Sequence, residues 1–401
     1  VRTRTKGPAR KGGRAVAALA LALLSLRAAP AAAQTPATAP GLGQTVPAAD
    51  ARAAAMGGAR LGLIGGSLSV LNPADLTGFS RPALGMTISP EGVSVKTEGG
   101  SQGTGRSRVP VVVAVVPRGS WAFGASFVAE TDQDWSIQLS DTLSTAFGTF
   151  PFEERREHDG GLSSVNLTVA RTIGSIGAGI EAGFLTGGLR QTFFRNFETA
   201  IEDPTVGIGV ARGEARFGYS AFRLRGGLAT QLSPGLRVSG MLSWTGDLEA
   251  KQDTAAREVA RYEIPMPVEW ALGGSYRVAS RLLVSAAGGW AGWGGSGDAF
   301  VSSEASDVWW LGVGAEWLGL RLFGAGLPVR AGFRRTGLPF HPVDRDPITE
   351  TAFTFGAGID VAGGIATMDA ALELGSRGDL AASGVEESFT RFSLSLSVTQ
   401  P

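Results

Sequence analysis

In this chain of 401 residues, 36 basic and 36 acidic side chains cancel, and cysteine is absent. Such a balance excludes a basic nucleic-acid footprint, and the lack of thiols excludes disulfide staples and cysteine chemistry. Residues 1–33 read as an address. Arg2, Arg4, Lys6, Arg10, Lys11 and Arg14 form a basic start, residues 15–26 are apolar but too short to cross a bilayer as a helix, and Ala31-Ala32-Ala33 before Gln34 fits a cleavage site. Their removal takes away basic side chains only, so the mature chain is acidic. Residues 34–50 are a flexible lead-in rich in proline, alanine and threonine, and 51–81 are rich in glycine and alanine with little strand pattern. The signal peptide implies export from the cytoplasm.

From Leu84 to the C-terminus the sequence alternates apolar with small or polar residues, the period-two signature of strands. Fourteen strands are predicted. The outward set is Leu84, Met86 and Ile88 on the first, and Trp121, Phe123, Ala125 and Phe127 on the third. The fifth carries Ile176, Ala178, Ile180, Ala182 and Phe184, and the tenth Trp309, Leu311, Val313, Ala315 and Trp317. The second, near 109–116, is apolar on both faces and its register is not readable. The eighth reads Tyr262, Ile264, Met266, Val268, Trp270, Leu272, Gly274 and Tyr276 on one face. None of the proposed outward positions is charged. The opposite faces hold Arg223, Arg225, Glu269, Glu316, Arg330, Arg334, Asp360 and Glu373. A cationic side chain facing lipid at the midplane costs about 2–4 kcal/mol, and this segregation is what that cost enforces. A soluble β-sandwich shows the reverse, with its second face hydrated and charged.

Connections alternate short and long. Pro117-Arg118-Gly119, 172–175, Ser233-Pro234-Gly235 and Ala279-Ser280 are tight turns, whereas 96–107, 130–160, 186–214, 246–261, 292–306, 336–350 and 376–387 are read as long outer loops. Short periplasmic turns and long outer loops characterise bacterial outer-membrane barrels. Closure is obligatory, because an open edge leaves backbone groups unpaired in hydrocarbon. The fold predicted is all-β, a 14-stranded antiparallel transmembrane β-barrel. Trp309 and Trp317 are expected as interface anchors at the two ends of one stripe. In the sixth strand the apolar register moves from Ala215, Phe217 and Tyr219 to Phe222 and Leu224, which predicts a bulge. Pro265 and Pro267 remove two ladder donors from the eighth; either a lateral opening or a kink at the outer rim would follow.

Two stretches carry a resemblance. Arg52-Ala53-Ala54-Ala55-Met56-Gly57-Gly58-Ala59, followed by Asn72-Pro73-Ala74-Asp75-Leu76, resembles the N-terminal hatch of the FadL-type long-chain fatty acid transporters and of their PorV-like relatives in type IX secretion. The run from Ile264 through Pro265, Pro267, Glu269 and Tyr276 to Trp290 looks like the same family. The 63–70 interval lacks an acidic pair often found there, and the chain ends Val398-Thr399-Gln400-Pro401 without a terminal aromatic. The resemblance implies an N-terminal plug (hatch) inside the barrel, here 34–81 with Asn72, Pro73 and Ala74 as its motif, and a barrel at 82–401. It also implies an outer hydrophobic groove that collects substrate.

The longest loops carry apolar residues beyond what a solvated loop needs: Trp135, Ile137, Leu139, Leu143, Phe147, Phe150 and Phe152 in one, Phe193, Phe194 and Phe197 in the other. These are the candidate ligand-binding residues; packing of loop on loop is the alternative. The lumenal charges are expected to pair with one another, hold the plug backbone, or line water. His158 and His341, the only histidines, fall in predicted outer loops and single out no metal or acid–base site, and no nucleophile constellation marks an enzyme. The function expected is passive uptake across the bacterial outer membrane of hydrophobic small molecules such as long-chain fatty acids, without a cofactor, by a monomer in contact with outer-membrane lipid. The alternatives are a PorV-like barrel that binds secreted surface proteins and an unplugged porin.

Overall fold

A computed structural model describes residues 41–65, 67–69, 71–97, 100–145, 148–197, 210–253, 261–300, 303–322, 325–361 and 365–399. The expected signal peptide and most of the lead-in lie outside these residues. Fourteen strands form the wall: β1 (Ala83–Thr97), β2 (Gly100–Arg118), β3 (Trp121–Asp132), β4 (Gly148–Ile173), β5 (Ile176–Phe197), β6 (Ala211–Ser233), β7 (Leu236–Thr245), β8 (Glu269–Ala279), β9 (Leu282–Ala291), β10 (Val308–Leu322), β11 (Ala325–Gly337), β12 (Thr349–Val361), β13 (Ala366–Arg377) and β14 (Glu386–Thr399). Each pairs antiparallel with the next. β1 closes on β14 from Ala83↔Thr399 to Lys96↔Glu386. The result is the closed 14-stranded barrel that the alternation predicts.

The predicted outward side chains face out. Leu167 is 66% exposed, Ile180 70% and Leu272 62%, values that large aliphatics reach in numbers only where hydrocarbon replaces water as solvent. An aromatic girdle marks the outer boundary: Trp270 and Trp290 lie 5.6 and 6.3 Å from Trp309, ring to ring. At the short-turn end Trp121 carries the Arg171 guanidinium 4.9 Å above its ring. Trp309 and Trp317 are both exposed on β10, as two interface anchors require. The register of β2, unreadable in sequence, puts Val111, Val113 and Val115 inward, where they pack on Leu76.

Three expectations are corrected. Of the stretches read as long outer loops, 96–97, 100–107, 130–132, 135–145, 148–160, 186–197 and 211–214 are strand. β4 and β5 continue past the membrane band, and a further strand, Trp135–Thr145, pairs with β4. Where this tall sheet leaves the barrel, Gly160, Gly161 and Gly187 meet neighbouring backbone. A Cβ on Gly187 would sit 2.1 Å from the Gly161 carbonyl oxygen. Second, β6 has no bulge between Tyr219 and Phe222: it pairs with β5 without a shift from Ala211↔Arg195 to Thr230↔Ile176. The apolar set changes face because the interior itself turns apolar at that height, burying Tyr219. Third, the eighth strand is not continuous. Arg261–Ile264 and Glu269–Ala279 are separate pieces, and Ile264 is buried inside. The β7–β8 ladder stops at Ser243↔Glu269, and pairing resumes at Leu248↔Ile264. Pro265 and Pro267 sit in that interval, on the outer side of Trp270, so the break belongs to the rim.

Candidate functional site

The N-terminal segment runs through the lumen. Asp50 caps a one-turn helix, α1 (Ala51–Ala55), by accepting from the Ala53 amide at 2.8 Å. The same carboxylate accepts from the Leu68 amide and Ser67 Oγ, which folds the segment back on itself. Thr354 Oγ1 on β12 donates to the Ala55 carbonyl (2.9 Å) and accepts from the Gly57 amide (3.0 Å). Inward glycines make room for this backbone: a Cβ on Gly332 would lie 2.3 Å from the Gly57 nitrogen. Across the lumen Asn72 caps the 3₁₀ turn Pro73–Gly78, accepting from the Ala74 amide, while its Nδ2 donates to the Leu228 carbonyl at 3.0 Å. Asp75 pairs with Arg237 at 3.3 Å.

At the top of the segment the chain enters the wall. The β2–β3 ladder ends at Val111↔Val128. Beyond it Gln44 and Thr45 pair with Asp132 and Thr131 of β3, and the Val46 amide donates to the Glu130 carbonyl. Arg108 of β2 bridges the seam, donating to Asp132 at 2.7 Å and to Gln44 Oε1 at 3.2 Å.

The lumenal charges pair chiefly with one another. Arg330 holds Glu316 and Asp369, each at 2.6 Å, and Arg52 of α1 joins Glu316 at 2.8 Å. Arg334 meets Glu373 (2.9 Å) and Glu350 (2.5 Å), Arg223 meets Glu130 (2.7 Å), and Arg225 meets Glu181 (2.8 Å). Glu269 is half-buried and makes no ion pair among the described residues. Asp360 is exposed at the short-turn end and accepts from Thr367 Oγ1. Sequence reasoning missed the largest cluster. Arg377, fully buried, holds Glu91 (2.8 Å), Glu350 and Glu387 (3.3 Å), and Arg391 joins Glu91 (2.9 Å). Glu350 and Glu387 were assigned to loop ends, yet they continue the inward alternation of their strands by one or two steps. That continuation was the available signal.

Beneath the outer mouth, on the β4–β8 side, the interior is apolar. Leu42, Leu162, Leu185, Leu189, Tyr219 and Leu248 are buried together with Ile264 and Phe340. Trp293 and Phe300 roof the cluster, their rings 5.2 and 5.0 Å from Phe340. His341, expected in a solvated loop, is buried beside Ser306 at 3.0 Å, because the outer connections fold over the mouth. The predicted ligand residues divide. Phe152 and Phe197 meet at 5.8 Å on the tall sheet, with the Arg195 guanidinium over Phe152 (4.3 Å) and Phe193 (5.4 Å) and Glu154 held between Arg156 and Arg195. Trp135 stacks on His158 at 3.8 Å. Burial, with Arg156 nearby, pushes the His158 imidazole down to about 4. Leu143 and Phe194 are exposed and Phe150 is half-buried. The side chains of Ile137 and Leu139, and all of Phe147, lie outside the described residues.

A family model described as BamG matches residues 241–400. No curated protein matches. Among solved structures the chain is similar to the toluene transporter TbuX of Ralstonia pickettii, with a TM-score of 0.57 at 16% identity over 88% of this chain and 98% of that one. The toluene transporter TodX of Pseudomonas putida gives the same four values. A FadL homologue of Pseudomonas aeruginosa aligns with a TM-score of 0.58 at 13% identity, covering 88% of this chain and 99% of that one. These neighbours are transport channels. The chain therefore has the fold of these structures, a closed 14-stranded β-barrel of the FadL type.

Proposed function

We propose that the protein takes up hydrophobic small molecules by passive, binding-driven passage, with the N-terminal segment as a plug and long-chain fatty acids or monoaromatic hydrocarbons as candidate cargo. The observation that carries the reading is the apolar cluster around Leu185, Tyr219, Leu248 and Ile264 inside the outer mouth. Burying one methylene there is worth about 0.8 kcal/mol, so an apolar solute gains by leaving the medium for this interior. Phe194, exposed on the tall sheet, and the half-buried Phe193 and Phe197 offer a first capture surface above it. The plug reading is supported by the bonds of Ala55 and Gly57 to Thr354 on β12 and of Asn72 to Leu228 on β6, two different strands of the wall. The structural neighbours, toluene transporters and a FadL homologue, support the cargo class.

The test is uptake of a fluorescent fatty acid and of toluene into cells carrying the protein. Leu185→Asp with Ile264→Asp should lower both by about tenfold, the scale of a few buried methylenes lost, while heat-modifiable barrel migration persists. Unchanged uptake by a folded double variant would refute the reading. Phe194→Asp tests capture on the tall sheet separately.

A further inference from the structure

The tall sheet above the membrane ends on a free edge. The eleven-residue strand Trp135–Thr145 pairs with β4 along its whole length, from Trp135↔His158 to Thr145↔Gly148. Among the described residues no strand pairs with its other edge. Natural edge strands are kept short, broken by proline, or guarded by lysine. This one, Trp-Ser-Ile-Gln-Leu-Ser-Asp-Thr-Leu-Ser-Thr, has neither proline nor lysine and a single charge, Asp141. Across from it, β2 beyond Val111 pairs, among the described residues, only with β1. The two free edges form the rims of a slot open to the outside.

The floor of that slot already holds an added strand. Gln44 and Thr45 pair with the β3 edge directly below Trp135, so the local twist and spacing accept an extended segment. Symmetry argues against a second copy. Two copies in one membrane share the direction of its normal, and a two-fold along that normal sets equivalent edges running the same way. Antiparallel self-pairing needs the axis across the strands instead. The available chemistry is therefore a row of backbone donors and acceptors facing water, flanked by hydroxyl and amide side chains. Gln138, Ser140, Thr142 and Ser144 are exposed on the strand, and Leu143 adds an apolar contact.

We propose that this edge binds an extended segment of another polypeptide at the cell surface by β-strand addition, one that alternates apolar with small hydroxyl residues and carries a basic residue opposite Asp141. The interaction is separate from passage of small molecules through the lumen.

The probe is a fluorescent eleven-residue peptide alternating valine and threonine with one central lysine, titrated into the full-length protein in detergent. Saturable binding should slow amide exchange over 135–145 by about tenfold, as strand pairing does to an open edge. The same peptide N-methylated on alternate amides along either edge should bind about tenfold more weakly to the unmodified protein, because backbone donors carry the affinity. Ser136→Lys, Ser140→Lys and Ser144→Lys together should weaken binding similarly without changing heat-modifiable migration. Equal binding of the N-methylated peptides would overturn the proposal. So would protection elsewhere in the chain, prior protection of the 135–145 amides that point away from β4, or dimers that the lysines dissolve.

Discussion

The inner wall of the barrel is finished in two ways at the same height. On the side of β1 and β11–β14, the space under the outer mouth is filled by Arg377, Arg391, Arg334, Glu91, Glu350 and Glu373, each buried and ion-paired. On the side of β4–β8 it is filled by Leu162, Leu185, Tyr219, Leu248 and Ile264. One half holds its shape through directed pairs that tolerate no missing partner. The other presents a surface that an apolar solute can share.

The difference sets the order of expected effects. Arg377→Met should do the most harm, because it leaves three buried carboxylates short of their cation. Breaking one side of such a cluster costs about 3–5 kcal/mol, read as a lower urea midpoint in detergent. Leu248→Ala, which opens a hole in the apolar half, should cost about 3 kcal/mol if the site collapses only partly. It should also raise binding of a small aromatic that fits the hole, which Arg377→Met should not; equal gains in both variants would erase the functional contrast between the halves. Asn72→Ala removes the cap of the 3₁₀ turn and should cost about 1 kcal/mol. It should appear as faster amide exchange over Pro73–Gly78 with the global midpoint held.

The smallest effect is one of pH and lies outside the membrane. The His158 imidazole is held down to about 4, against an ordinary value of 6.5. A depressed imidazole contributes stability that is present above the ordinary value and is lost as pH falls from about 6.5 to about 4. The Trp135–Thr145 hairpin should therefore loosen through that window, seen as faster exchange of its amides. His158→Phe should abolish the dependence.

Most of the barrel was legible because lipid penalises charge on every second residue, and that penalty writes a clean period into β5, β9 and β10. The lumenal arginines and glutamates were legible for the same reason, seen from the other side. Legibility failed where neither face meets lipid. Above the girdle, Tyr219 and Ile264 are apolar and point inward, so the same alternation carried the opposite meaning and suggested a bulge in β6 and an unbroken eighth strand. The stretch from Trp135 to Phe152 reads as loop because Trp135 and Phe152 pack across on His158 and Phe197, neighbours that only the three-dimensional pairing reveals. The N-terminal segment offers no periodicity. Its placement rests on caps and glycine clearances, which a motif such as Asn72-Pro73-Ala74 marks without locating.

The staves encoded first and last, Ala83–Thr97 and Glu386–Thr399, share the final seam. The Ala51 amide donates to Ser395 Oγ on the last of them. The cylinder must therefore shut around a segment synthesised before any of its staves. Register at the closing seam and seating of that early stretch are thus set by one and the same last stave.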